Sequence, residues 1–278
     1  MTEPPERTYT YGDSPVAGDR LAVIAAIFGP TTEAFLRRDA PAGVALAVDL
    51  GCGPGYTTAL VRDVVAPTTT VGLERSEAFV LRARIEHTPQ PVADLTFLPH
   101  DVTVTPFPTG PADVLFARYL LAHLPDPVIV RDRWFGQVRA GGRLLVEEID
   151  HIDTSIPTFE RYLDVVAAMS RGHDTDLFVG RALAAAAPPP GGRLVADTIA
   201  EISPDPRVVA RIFSMNLSVW RDDPWTRANV ADDRVHVLAA ELSDLAAAGS
   251  PGSITWHHRQ LAYANTETTS AITVSRTV

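Results

Sequence analysis

The chain has 278 residues, 46% of them hydrophobic, and a formal net charge of −10. That size suits one large domain or a domain with a sizeable insertion, and the acidic balance argues against nucleic acid as a main partner, because phosphate binding needs a basic surface. All 24 basic residues are arginine, which excludes a lysine Schiff base and a Walker-type phosphate lysine, and the single cysteine, Cys52, excludes an intramolecular disulfide and a cysteine-only metal site.

Residues 1–14 read as an irregular arm, and the first 20 residues carry Glu3, Glu6, Arg7, Asp13, Asp19 and Arg20 in place of a signal-peptide pattern. No apolar run approaches the ~20 residues of a membrane span, so a soluble cytoplasmic protein is expected. A helix is predicted from about Val16 to Phe28. Gly29-Pro30 punctuates it, and Thr31-Thr32 can cap a second helix to Arg38. The apolar run Val44 to Leu50 reads as a strand. It ends in the glycine loop Gly51-Cys52-Gly53-Pro54-Gly55, and a helix from Tyr56 to Val65 follows. Bare glycine backbone lets a ligand approach closely, and the helix start offers free N–H groups to an anion.

A second strand, Thr69 to Leu73, ends at Glu74-Arg75-Ser76, with Ser76 as the N-cap of a helix to about Glu86. Further strands are predicted at Leu95 to Pro99, Asp113 to Ala117 and Arg143 to Ile149, with a helix from Val128 to Val138. Beyond Asp150 the rhythm changes. Helical patterns cover Ile156 to Met169, Asp176 to Ala187, Arg207 to Trp220 and Asp232 to Ala248, and strands are predicted at Leu194 to Ile202 and Ser253 to Ala264. Alternating strands and helices read as an α/β, doubly wound, mostly parallel sheet. The expected division is an arm with lid helices (1–40), a core (41–150) and the rest of the sheet with a helical cap (151–278).

In such sheets ligands bind beyond the carboxyl ends of the strands. Glu74 ends a strand 19 residues after Gly55, where a carboxylate can accept both hydroxyls of a ribose. Asp101 ends the next strand and can accept from an adenine amino group. Asp49, just before the loop, can orient it or bind a ligand ammonium. The spacing Gly51, Gly53, Gly55 differs from the Gly-x-Gly-x-x-Gly of dinucleotide dehydrogenases, which disfavours a nicotinamide enzyme.

Together, Val48-Asp49-Leu50-Gly51-Cys52-Gly53-Pro54-Gly55, Val71-Gly72-Leu73-Glu74, Pro99-His100-Asp101-Val102, Ala112 to Arg118 with His123 to Pro127, and Arg139 to Leu144 resemble the motifs of the class I, Rossmann-like S-adenosylmethionine-dependent methyltransferases. The resemblance covers about residues 9–150. Within it, Tyr9, Gly12, Ser14 and Arg20-Leu21 resemble the arm of bacterial members, although Ala17 stands where those relatives often have an acid. The resemblance implies a seven-stranded sheet with an antiparallel last strand, S-adenosylmethionine as cofactor and S-adenosylhomocysteine as product. It implies a cofactor site made by Tyr9, Ser14, Arg20, Asp49, Gly51, Cys52, Gly53, Glu74, Arg75, Asp101, Val102, Ala117 and Arg118.

Methyl transfer from a sulfonium is an in-line displacement, so a protein mainly aligns the partners and excludes water. An acceptor that must lose a proton can use a positioned base; the candidates are His151 and His123. His257 and His258 are adjacent in a predicted strand and so point to opposite faces, a poor metal pair; no metal is expected. Arg20 and Arg118 each offer a bidentate fork to the donor's carboxylate. The expected activity is methyl transfer to an oxygen or nitrogen of a small organic molecule, as in natural-product biosynthesis. The alternatives are a protein or RNA methyltransferase, or a protein of this fold that binds the cofactor and catalyses another step. Expected partners are a small-molecule acceptor and a possible second copy in a homodimer, with no nucleic acid and no membrane.

Overall fold

A computed structural model describes residues 12–87 and 94–267. Helix α1, Pro15–Asp39, starts where its chemistry allows: the Ser14 hydroxyl accepts from the Ala17 N–H at 3.3 Å and Pro15 occupies the first turn. The break predicted at Gly29-Pro30 is absent, and one helix of 25 residues runs through Pro30. Thr31 and Thr32 do not cap; the Thr31 hydroxyl donates back to the Phe28 carbonyl at 2.8 Å, and Thr32 Oγ1 lies 3.2 Å from the same oxygen. Pro30 removes one helical hydrogen bond. Burial of Phe28, Phe35 and Leu36 along the same helix outweighs that loss, since packing of the apolar face supplies most helix stability in proteins.

The core then alternates as expected: β1 Leu46–Leu50, α2 Tyr56–Val65, β2 Thr69–Glu74, α3 Glu77–His87, β3 Leu95–Pro99 and β4 Ala112–Arg118. A 3-10 turn, Leu121–His123, precedes α4, Pro127–Phe135. The helix predicted to reach Val138 stops at Gly136, and β5, Val138–Thr154, begins where helix was expected. Strand pairing decides this: Val138 lies opposite Ala112, whose N–H donates to the Gln137 carbonyl. Residues 139–142 bulge out before the ladder resumes at Val114 and Arg143.

The second half contains α5 Pro157–Gly172, α6 Val179–Ala185, β6 Gly192–Ile202, α7 Pro206–Trp220, α8 Pro224–Asn229, α9 Asp232–Ala248 and β7 Ile254–Asn265. The sequence reading has no counterpart of α8. The seven strands among the described residues form one sheet in the order β3-β2-β1-β4-β5-β7-β6. Strands β1 to β5 pair in parallel, and β7 runs antiparallel between β5 and β6.

Helices cover both faces. Phe35, Leu36 and Val61 from α1 and α2 pack with Ala47, Val114 and Phe116 on one face. Val130 and Trp134 from α4, with Val179 and Leu183 from α6, pack with Leu115, Ala117 and Leu144 on the other. A separate cluster joins Phe28 to α5, α7, α9 and Trp256. Among the described residues no helix is long and apolar enough to cross a membrane.

Candidate active site

The loop after β1 turns on glycines with left-handed backbone: Gly51 at φ +63°, Gly53 at +52° and Gly55 at +89°. A Cβ on Gly51 would lie 2.7 Å from the Leu120 methyls, so both the turn and the close approach of Leu120 require the bare residue. Asp49 is buried beneath the loop. Its Oδ2 accepts from the Thr57 and Thr58 hydroxyls at 2.6 and 2.7 Å, tying the loop to the first turn of α2. Burial raises its carboxyl to about 6, against the opposing pull of those two hydroxyls. Cys52 is buried, and its sulfur would lie 2.7 Å from a Cβ on Gly72. Burial raises its thiol well above the usual range, so it is a packed side chain and no nucleophile.

Glu74 links loop and strand. Its Oε2 accepts from the Gly53 N–H at 3.0 Å and its Oε1 from the Ser76 N–H at 2.7 Å. Each oxygen retains acceptor capacity, and burial raises the carboxyl above its ordinary value. Arg75, next to it, is exposed. Asp13 Oδ2 accepts from the Ser76 hydroxyl at 2.8 Å, which brings the segment before α1 to the end of β2. Asp101 Oδ1 accepts from the Thr103 N–H and hydroxyl. The buried Val102 offers its carbonyl to Trp134 Nε1 at 2.8 Å. Tyr9 lies outside the described residues.

At the ends of β4 and β5 a second group of polar side chains meets. Ala117 is fully buried, and Arg118 Nη1 donates to the Thr32 hydroxyl at 3.0 Å. The same hydroxyl donates to Glu147, which also accepts from Gln260 at 2.7 Å. Tyr119 has left-handed backbone, φ +54°, a conformation that concentrates at functional positions in bulky residues. Its hydroxyl lies 2.7 Å from His258 Nε2. Burial lowers the His258 imidazole to about 3 and raises the Tyr119 phenol, so both are neutral at pH 7. Behind them, Glu148 Oε1 accepts from the Leu120 and Leu121 N–H groups at 2.8 and 2.7 Å, and burial raises this carboxyl to about 8.

A third group converges on the buried Arg20. Its Nη1 donates to Asn216 Oδ1 at 2.7 Å, and Asn216 in turn bonds Tyr162. His123 lies close enough to feel the Arg20 charge; burial first, and that charge second, lower its imidazole to about 4. The structure therefore brings His123 to Arg20, and Tyr119 to His258. It does not bring His151 to either. His151 pairs in register with His257, on the face of the β5–β7 ladder opposite Glu147, His258 and Gln260. Tyr119 and His258 have no motif signal; a tyrosine just past a strand that ends in arginine is the one hint.

Residues 48–146 match the family model described as a methyltransferase domain. The chain carries a class I, Rossmann-like methyltransferase domain. A trans-aconitate 2-methyltransferase of Methylobacterium radiotolerans is 34% identical over 125 residues, 44% of either chain. The chain thus spans less than half the length of that curated relative. Among solved structures, phosphoethanolamine N-methyltransferase 2 of Haemonchus contortus, in complex with phosphomonomethylethanolamine and S-adenosylhomocysteine, superposes with a TM-score of 0.56 at 15% identity, over 95% of this chain and 62% of that one. The cyclase SpnF superposes with a TM-score of 0.51 at 15% identity, over 94% and 98%. Both likenesses concern the fold. S-adenosylmethionine is the cofactor of this domain family, and the groups around the loop suit its parts: an acid at the end of β2 for hydroxyls, an acid at the end of β3 for an amino group, and bare glycine backbone between them.

Proposed function

We propose that the protein transfers a methyl group from S-adenosylmethionine to an oxygen or nitrogen of a small organic molecule. The observation that carries this is Glu74, which takes the Gly53 N–H while keeping acceptor capacity beside the glycine loop. In this reading Glu74 accepts from the ribose hydroxyls, Asp101 and the Val102 backbone meet the adenine, and Arg118 or Arg20 meets the donor's carboxylate. Asp49 acts by holding the loop, since both of its hydroxyl contacts run to α2. In the same reading the backbone of Gly51, Cys52, Gly53 and Ala117 meets the cofactor, with Ser14 before α1 and Arg75 at the ribose edge.

The bound cofactor supplies an activated methyl group, so the residues must align the acceptor and exclude water. Tyr119 and the neutral His258 form a pair that can orient an acceptor by hydrogen bonding, and the neutral His123 beside Arg20 is a second such group. The net charge of −10 suits a small molecule better than RNA. The curated relatives bear the name trans-aconitate 2-methyltransferase, so trans-aconitate is the first acceptor to try.

The likeness to a cyclase of the same fold supports a second reading, cofactor binding with a different reaction. Calorimetry with S-adenosylmethionine, S-adenosylhomocysteine and NAD separates the cofactor question from the reaction. The first two are expected to bind and NAD is not. Tight NAD binding with no response to the others would overturn the reading. Turnover is then tested by mass spectrometry of an acceptor screen, where cofactor binding without any methylated product favours the second reading.

A further inference from the structure

We infer that His151, Asp153 and His257 form a binding site for one divalent cation of the zinc class, on the sheet face opposite Tyr119 and His258. Read along the chain, His257 belongs with His258, and the two side chains point apart. The fold gives His257 a different partner. After a register shift between Ile149 and His151, the antiparallel β5–β7 ladder sets His151 directly opposite His257. Their rings stack at 3.8 Å and within 7° of parallel.

The surroundings give the two rings the same orientation. His151 Nδ1 lies 2.8 Å from Asp150 Oδ2, and His257 Nδ1 lies 3.6 Å from Glu201 Oε1. The Asp150 carboxylate at hydrogen-bond distance from His151 Nδ1 orients that ring with Nε2 turned outward, the arrangement by which second partners prepare a histidine to bind a metal. Both Nε2 atoms face a single oxygen, Asp153 Oδ2, at 3.6 Å from His151 and 3.0 Å from His257. Ligands held ~2.0–2.1 Å from a tetrahedral ion lie about 3.3 Å apart, between those two values. The three ligand atoms all fall within 4.8 Å of one another, and tilting of the two half-buried rings with rotation of the exposed Asp153 side chain would close the site.

Charge favours a cation. Asp150, Asp153 and Glu201 lie against the rings, and Asp197 adds a fourth acid beside Arg259, against Arg181 and Arg259. Arg259 is engaged by Asp150 and Asp197, and Arg181 by Asp150, so neither guanidinium is needed at the two Nε2 atoms. An ion bound here would take the place of the proton shared between His257 Nε2 and Asp153 Oδ2. Imidazole with carboxylate suits zinc, nickel or copper rather than magnesium or calcium. Asp153 is 71% exposed, which leaves room for water to complete the coordination. The ion would clip β5 to β7, with Glu201 of β6 alongside.

The experiment uses the full chain without an affinity tag, stripped by chelator and titrated with zinc chloride by calorimetry. The expected result is one site of micromolar affinity and a higher melting temperature at ~100 µM zinc, since a ligand that binds only the folded state stabilises it. Asp153→Asn and a His151→Gln/His257→Gln double variant are each expected to weaken binding about tenfold or more. Should the double variant fold poorly, Asp153→Asn still decides, because its exposed side chain contributes little to the core. Cobalt in place of zinc gives a visible absorption band that Asp153→Asn is expected to alter. The absence of saturable zinc binding, or binding that Asp153→Asn leaves unchanged, would overturn the assignment.

Discussion

Glu74 carries two duties with two oxygens. It holds the Gly53 N–H, and so the shape of the loop, and the Ser76 N–H, and so the start of α3. Substitution by alanine removes those bonds and the capacity left for a ribose. Calorimetry of Glu74→Ala is expected to show S-adenosylhomocysteine binding weakened by ~1–3 kcal/mol, the cost of losing charged hydrogen bonds. An unchanged affinity would mean that the carboxylate does not face the ribose. Glu74 was legible in the sequence because a strand end and a glycine loop are both local patterns. The pairs Tyr119–His258 and Arg20–Asn216 were not, since their members lie 139 and 196 positions apart and nothing in either neighbourhood points to the other. His151 shows the same limit from the other side: its position after β5 was legible, but its partner His257, 106 residues on by their numbering, is set by the register of a ladder.

Elements follow the same division between local and distant causes. Strand β3 and helices α2 and α9 have the bounds predicted from pattern and punctuation, because their ends coincide with turn residues and N-terminal signals. The sequence misplaces α1 and the start of β5. In both, a strong local breaker or helix pattern yields to burial or to strand pairing further along the chain. Helix α8 is a different kind of miss, because its signal is local and present. Asp223-Pro224 is an N-cap followed by a first-turn proline, and Asp223 Oδ1 accepts from the Trp225 and Thr226 N–H groups at 2.9 and 3.2 Å. The same carboxylate lies 3.1 Å from His173 Nε2, joining α8 to the end of α5. Asp223→Ala is therefore expected to lower stability by ~1–2 kcal/mol in urea denaturation, the cost of a lost N-cap. A midpoint within error of the parent would show that water replaces the cap without loss.

At the scale of the molecule, buried titratable groups pull stability in opposite directions with pH. Burial raises Asp49 from 3.8 to about 6 and Glu148 from 4.5 to about 8. The stability these acids contribute is full below their unfolded values and is lost as pH rises through 6 and then 8. Burial lowers His123 from 6.5 to about 4 and His258 from 6.5 to about 3. Their contribution is present above 6.5 and is lost as pH falls toward 4 and 3. The opposing pairs nearly cancel between about 4.5 and 6, and above 6.5 the Glu148 proton remains. Glu148 Oε2 is buried with no hydrogen-bond partner among the described residues, so the Leu120 and Leu121 N–H groups at Oε1 offset only part of the cost of ionising the carboxyl. Unfolding free energy is therefore expected to peak near pH 6–6.5 and to fall by on the order of 2 kcal/mol by pH 8, the slope of one proton over that interval. Glu148→Gln keeps an oxygen for the Leu120 and Leu121 N–H groups and removes the titration. Urea unfolding from pH 5 to 8.5 is expected to show the alkaline decline in the parent and a flatter profile in the variant. A parent whose stability rises from pH 6.5 to 8, or a decline that glutamine leaves in place, would move the titrating proton to another group.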